Sequence, residues 1–163
     1  MVSVLLIVLA FILYKHVIRV HHLTEILGGK DAYWVIAKPD RTKIFVTLGY
    51  YWKTTNGFPP LPEHYGSPAG RSHELSESDV KHLQEILLDL HNYRRGLNGA
   101  APFGPEIVIV FARSQHEVQL VAADDFGDIQ TTIDGKLKGH SGLKPKDGSI
   151  IMQFISPIIS NEK

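Results

Sequence analysis

The chain has no cysteine among its 163 residues, which excludes a disulfide framework, thiol catalysis and any Cys-ligated zinc or iron–sulfur site. It also lacks an excess of either charge. Lys and Arg number 17 and Asp and Glu number 17, and setting aside Lys15, Arg19 and Glu25 leaves 15 against 16. No basic field is therefore available to hold nucleic acid. Internal repeats are absent, and no cofactor-binding motif stands out, so no cofactor is expected.

What the chain does have is one long apolar run at its start. From Val2 to Tyr14 only Ser3 interrupts thirteen positions, which as a helix reach about 20 Å. That is short of a bilayer core of about 30 Å. Val17, Ile18 and Val20 carry the apolar character to residue 20, with Lys15 and Arg19 able to snorkel toward headgroups. A cleaved secretory signal fits poorly, because no Lys or Arg precedes the run and no small-x-small cleavage site follows it. A buried core helix would need more cover than so small a domain supplies. Residues 2–20 are therefore expected to form a signal-anchor or transmembrane helix that crosses the membrane once. Lys15, Arg19 and Lys30 against Glu25 put the positive excess on the domain side, which predicts a cytoplasmic domain. Val20, Leu23, Ile26 and Leu27 continue an apolar stripe and Gly28-Gly29 supplies a stop, so a single helix is predicted from Val2 to Leu27. Its last turns would meet the headgroups through Lys15, Arg19 and protonated His16, His21 and His22, although two fixed charges fall short of a polybasic cluster.

The expected organisation is an anchor with its juxtamembrane extension over 1–29 and one small α+β domain over 30–163. Tyr33–Ala37 and Ile44–Leu48 are rich in β-branched and aromatic residues with Pro39-Asp40-Arg41 between them, which predicts a β-hairpin, the second strand running on toward Tyr50-Tyr51-Trp52. Residues 54–75 carry Pro and Gly without periodicity and read as a long loop. Ser76 to Arg95 reads as an amphipathic helix, with a Ser76/Asp79 capping box, a stripe of Val80, Leu83, Leu87 and Leu90, Arg94 and Arg95 in the last turn and Gly96 as cap. Strands are then predicted at Ile107–Phe111, Val118–Ala122 and Ile129–Ile133, a short one after Asp134-Gly135 at Lys136–Lys138, and a last one at Ile150–Ile155, forming an antiparallel meander. This element order is shared by profilin-like, PAS-like and longin-like folds. Element order alone assigns no function.

Candidate sites are few. His82, Glu85 and Asp89 share one helix face and have the chemistry to bind a divalent metal or move protons, yet that face is the solvated one. Asp124, Asp125 and Asp128 bunch three carboxylates in a turn but lack calcium-loop spacing. His116-Glu117 is a possible acid/base pair, except that adjacent strand residues point to opposite faces. Asp125-Phe126-Gly127 and Gly139-His140-Ser141-Gly142 resemble fragments of kinase and serine-hydrolase motifs without their accompanying elements. The expected binding site is the proline-rich stretch Phe58, Pro59, Pro60, Leu61 and Pro62 with Tyr65, a polyproline segment of the kind read by aromatic grooves.

Three function classes follow. The favoured one is a membrane-tethered, non-catalytic binding module, an adaptor or immunity-type inhibitor that contacts a protein partner, with no metal and no nucleic acid. The second is a small hydrolase or metal-dependent enzyme using His82, Glu85 and Asp89, or His116 with Asp124 and Asp128. The third is a small-ligand sensor with a pocket between helix and sheet.

Overall fold

A computed structural model of the chain describes residues 2–46, 72–94, 107–123 and 126–160. The first helix, α1 (Val2–Ile26), ends where the sequence stops it. Gly28 and Gly29 adopt φ of 89° and 127°, and their amides reach back to Glu25 O and Thr24 O at 3.2 and 2.6 Å. This is a Schellman closure that satisfies the last carbonyls with glycine in the left-handed position.

The predicted strand at Tyr33–Ala37 is instead part of a helix, α2 (Lys30–Ala37), so the expected N-terminal hairpin is absent. Ala32, Val35 and Ile36 are buried, a spacing of three and four that only a helix directs to one side. β-propensity reflects fit to a half-buried sheet surface, and here packing outweighs it. Pro39 follows the helix, and β1 (Arg41–Val46) begins the sheet. A short strand, β2 (Ser72–Glu74), lies within the stretch expected to be loop and pairs antiparallel with β1.

The next helix, α3 (Glu77–Leu87), has the expected capping box: Ser76 Oγ accepts from the Asp79 N–H at 3.3 Å, and the Ser76 N–H donates to Asp79 Oδ2 at 3.3 Å. It ends earlier than expected. Asp89 turns the chain into a 3-10 turn (Leu90–Asn92) by accepting from the His91 N–H at 3.0 Å. Arg94 therefore does not close a helix, and its N–H donates to Gly142 O at 2.9 Å.

The meander follows as β3 (Ile107–Arg113), β4 (His116–Ala122), β5 (Ile129–Ile133) and β6 (Lys136–Ser141). Asp134 and Gly135 take φ of 47° and 77°, the two positive values that a tight hairpin between twisted strands requires. The predicted last strand, Ile150–Ile155, is instead the middle of α4 (Pro145–Ser160). Pro145 at the first helical position loses no hydrogen bond there. Ile151 and Ile155, four apart, are fully buried.

The sheet has six strands in the order β2-β1-β3-β4-β5-β6, every neighbouring pair antiparallel. The expected α+β class is what forms. Ile44, Ile107, Ile109, Phe111, Val118, Leu120, Ala122 and Ile129 on one sheet face pack in one cluster with residues of all four helices. Leu23 and Leu27 of α1 belong to that cluster, so the last turns of the apolar helix are built into the domain.

The strands also define two ends. At one lie Ala122, Ile129, Ser141 and the start of β3, joined by the Leu143 N–H to Phe126 O bond of 2.8 Å and by the Tyr93–Leu143 bridge. At the other lie the β3–β4 and β5–β6 hairpin turns. Gly28 packs on Gly139 midway along β6, while Arg19 pairs with Asp89 beside the 3-10 turn. Helix α1 thus runs opposite to β6, and its first turns extend past the first of these ends.

Candidate functional site at the anchor junction

Among the described residues, almost none packs against the segment from Leu5 to Ile18. Leu5 is 72% exposed, Phe11 56% and Val17 65%, and the large apolar side chains between them are exposed on every side of the helix. The helix is long and apolar enough to cross a membrane. Lys15 lies among these residues with its Nζ 4.5 Å from the centre of the Phe11 ring.

At Arg19 the surroundings change. Arg19 Nη2 forms an ion pair with Asp89 Oδ1, and that same oxygen accepts from the His91 N–H and lies 3.0 Å from His91 Nδ1. Burial alone pushes the Asp89 carboxyl up, but the His91 N–H, the His91 ring and the Arg19 charge together hold it below its ordinary value. Lys144 Nζ donates to His91 O, which ties the start of α4 into the same group. On the next turns of α1, His21 and His22 approach Glu25 at 3.4 and 3.3 Å. The junction is thus a chain of contacts, Arg19–Asp89–His91–Lys144, that starts where the apolar helix leaves the domain.

The residues singled out from sequence fall into three groups. His82 and Glu85 do share a face of α3, 3.9 Å apart and exposed, but Asp89 lies past the helix end and is turned to Arg19 and His91. The expected three-residue face does not form, because the helix stops at Leu87 before it can carry Asp89. His116 and Asp128 are also separated, since they belong to opposite ends of the sheet. His116 Nδ1 lies 3.0 Å from Asp134 Oδ2, whereas Asp128 pairs with His140. Asp134 is held below its ordinary value first by the Glu117 N–H and then by His116. Phe126 is fully buried at φ 54°, so the aromatic ring of the kinase-like triplet belongs to the core. Asp124, Asp125 and the proline-rich residues Phe58, Pro59, Pro60, Leu61, Pro62 and Tyr65 lie outside the described residues. The flanks of that proline-rich stretch are described: Phe45 pairs with Ser72 at the same end of the sheet from which α1 emerges.

Among the described residues, no group of three or more His, Asp or Glu is placed to hold a metal ion. Histidine–carboxylate contacts are instead scattered as pairs over both ends of the sheet and along α1 and α3. In comparisons with protein families, with curated proteins and with solved structures, nothing matches the chain.

Proposed function

We propose that the protein is a single-pass, membrane-anchored binding module, in which α1 crosses the bilayer and the α+β domain is held at the cytoplasmic surface to contact a protein partner. The observation that carries this reading is the exposure of α1 on all sides before Arg19, in a helix whose last turns are buried in the domain core. Eleven large apolar side chains between Leu5 and Ile18 face outward. At about half the 1.5–3 kcal/mol that full burial of such a side chain gives, their insertion into lipid is worth on the order of 10 kcal/mol. Contiguous apolar surface on that scale marks an interaction with lipid or protein. The positive residues Lys15 and Arg19 on the domain side favour the cytoplasmic placement. The scattering of histidine–carboxylate pairs favours binding over catalysis, which needs convergent groups.

The full-length double variant Leu9→Arg/Leu13→Arg tests the anchor. Two arginines near the middle of the span cost roughly 5–7 kcal/mol of insertion, and neither position belongs to the domain core. The variant is expected to leave the alkali-resistant membrane fraction while unfolding at an unchanged temperature. Retention in that fraction at the wild-type level overturns the anchor. Site-specific photocrosslinking from Tyr65 in the membrane-bound chain tests the partner, the Pro60→Ala/Leu61→Ala variant being expected to lose the adduct.

A further inference from the structure

We propose that the junction is a binding surface for anionic phospholipid headgroups, built from Lys15 and Arg19 of α1 together with His91 and Lys144 of the domain. The proposal rests on the anchor reading above and adds to it the lipid class that the protein selects. Val2 to Ile18 reaches about 25 Å as a helix, less than a hydrocarbon core of about 30 Å. A span that is slightly short draws its flanking residues into the interface and thins the lipid around them. Arg19 is the next residue, so the headgroup layer passes through Arg19 and whatever Arg19 touches. It touches Asp89, Asp89 binds His91, and His91 O accepts from Lys144.

The position of these groups is fixed, because no linker intervenes. Leu23 and Leu27 are in the domain core one and two turns past Arg19, and Gly28 lies against Gly139. The charge that the described residues bring to the layer can therefore be counted. Arg19 and Asp89 cancel, Asp128 at the same end lies against His140, and Arg94, whose N–H donates to Gly142 O, adds a cation. Lys146 and Asp147, adjacent at the start of α4, offset one another. Lys144 remains as positive charge beside the exposed His91 side chain, and Lys15 adds one from α1, its ammonium lying over the Phe11 ring one turn before it. One hydrogen bond to His91 O leaves the Lys144 ammonium two donors for a phosphate or carboxylate oxygen. Two charges read from α1 alone are too few for lipid selection, and the fold supplies the others from residues 70 or more positions away in sequence.

The test uses the full chain reconstituted in phosphatidylcholine vesicles, with spin-labelled phosphatidylserine and phosphatidylcholine compared for the fraction immobilised at the protein. The wild type is expected to favour phosphatidylserine, and the preference is expected to shrink at high salt. Lys144→Gln should lower the preference by up to about fivefold, the worth of one cation near an anionic surface. Lys144→Arg should retain it. Lys136→Gln, which removes the same charge at the far end of the sheet, should leave it unchanged. Equal preference in the wild type and Lys144→Gln, or an equal loss with Lys136→Gln, overturns the headgroup site while leaving the anchor standing. Absence of any immobilised lipid overturns both.

Discussion

The contact of Gly28 with Gly139 joins the apolar helix to the sheet, and three glycine-to-alanine substitutions separate the forces acting there. At Gly139, which has no positive φ, a methyl group would lie 2.9 Å from Gly28 N, 3.0 Å from Gly28 Cα and 3.1 Å from Ile26 O, all backbone atoms. Backbone cannot rotate aside as a side chain does, so the end of α1 must lift from β6. Overpacking of this kind costs about 1–3 kcal/mol. At Gly29 the situation is reversed: nothing lies within 4 Å of the added methyl, but φ 127° with ψ 172° is a region nearly closed to L-residues. Strain alone should cost roughly 1–3 kcal/mol there. Gly28 combines the two, with φ 89° and a methyl 2.8 Å from Lys138 Cβ, and its substitution should cost about 2–5 kcal/mol. The Gly28→Ala/Gly139→Ala pair should cost less than the sum of its members, since either substitution opens the gap that the other needs. Urea unfolding of the full chain in mild detergent, followed by near-ultraviolet circular dichroism, reads all four. A Gly139→Ala midpoint equal to wild type, with Gly29→Ala still destabilised, would refute the close approach of α1 to β6.

Other perturbations bear on other elements. Ser76→Ala removes the cap of α3 and should cost about 1 kcal/mol, with Ser76→Thr retaining most of it, measured by the same unfolding assay. Ile151→Ala should cost about 2–5 kcal/mol while Gln153→Ala stays within about 0.5 kcal/mol; a strand over Ile150–Ile155 would give the two positions one shared face and comparable effects. Asp89 and Asp134 are both held below their ordinary value of 3.8 in the folded chain. Their contribution is therefore complete above pH 3.8 and is lost as the pH falls through the lower folded values, so stability should decline with acid in that window. The Asp89→Asn/Asp134→Asn variant should be less stable than wild type at neutral pH and show a shallower acid decline, as measured by unfolding midpoints across pH 2–6.

Much of the fold can be read from local pattern, and two of the failures share a cause. The capping box at Ser76, the Asp134-Gly135 hairpin, the stop at Gly28-Gly29 and the strands at 107–111, 118–122 and 129–133 are each set by a few neighbouring residues, and all form. Two of the misread elements are short apolar segments, Tyr33–Ala37 and Ile150–Ile155, while the strand Ser72–Glu74 lies in the stretch expected to be loop and the helix after Ser76 ends at Leu87. Both apolar segments are rich in β-favouring residues, and over five or six positions a period of two and one of 3.6 are hard to distinguish. What decides them is the sheet they cover: Ala32, Val35 and Ile36, and Ile151 and Ile155, reach the core only with helical spacing. The junction was hidden for a different reason. Arg19 is recognisable as a cation beside an apolar run, but its pairing with Asp89 spans 70 residues and depends on α3 ending early, which no local signal near Arg19 contains.

The change in α1 at Arg19 also has a consequence for how the domain is presented. From Leu5 to Tyr14 the helix is apolar on all faces; after Arg19, only Val20, Leu23, Ile26 and Leu27 keep that character, with Leu23 and Leu27 in the core. An all-round apolar surface suits lipid, whereas a one-sided stripe suits a protein core. On the anchor reading, one uninterrupted helix passes from lipid into the domain core with no residue spent on a flexible connection. On the anchor reading, the domain cannot swing freely, because rotating it would tear Leu23 and Leu27 from the core or Gly28 from Gly139. The end of the sheet at which Phe45 pairs with Ser72 is then always turned toward the membrane. A partner bound at this end of the sheet would then be recruited beside the bilayer, and a membrane-bound one would approach with its own orientation already restricted, which raises effective concentration without any added contact.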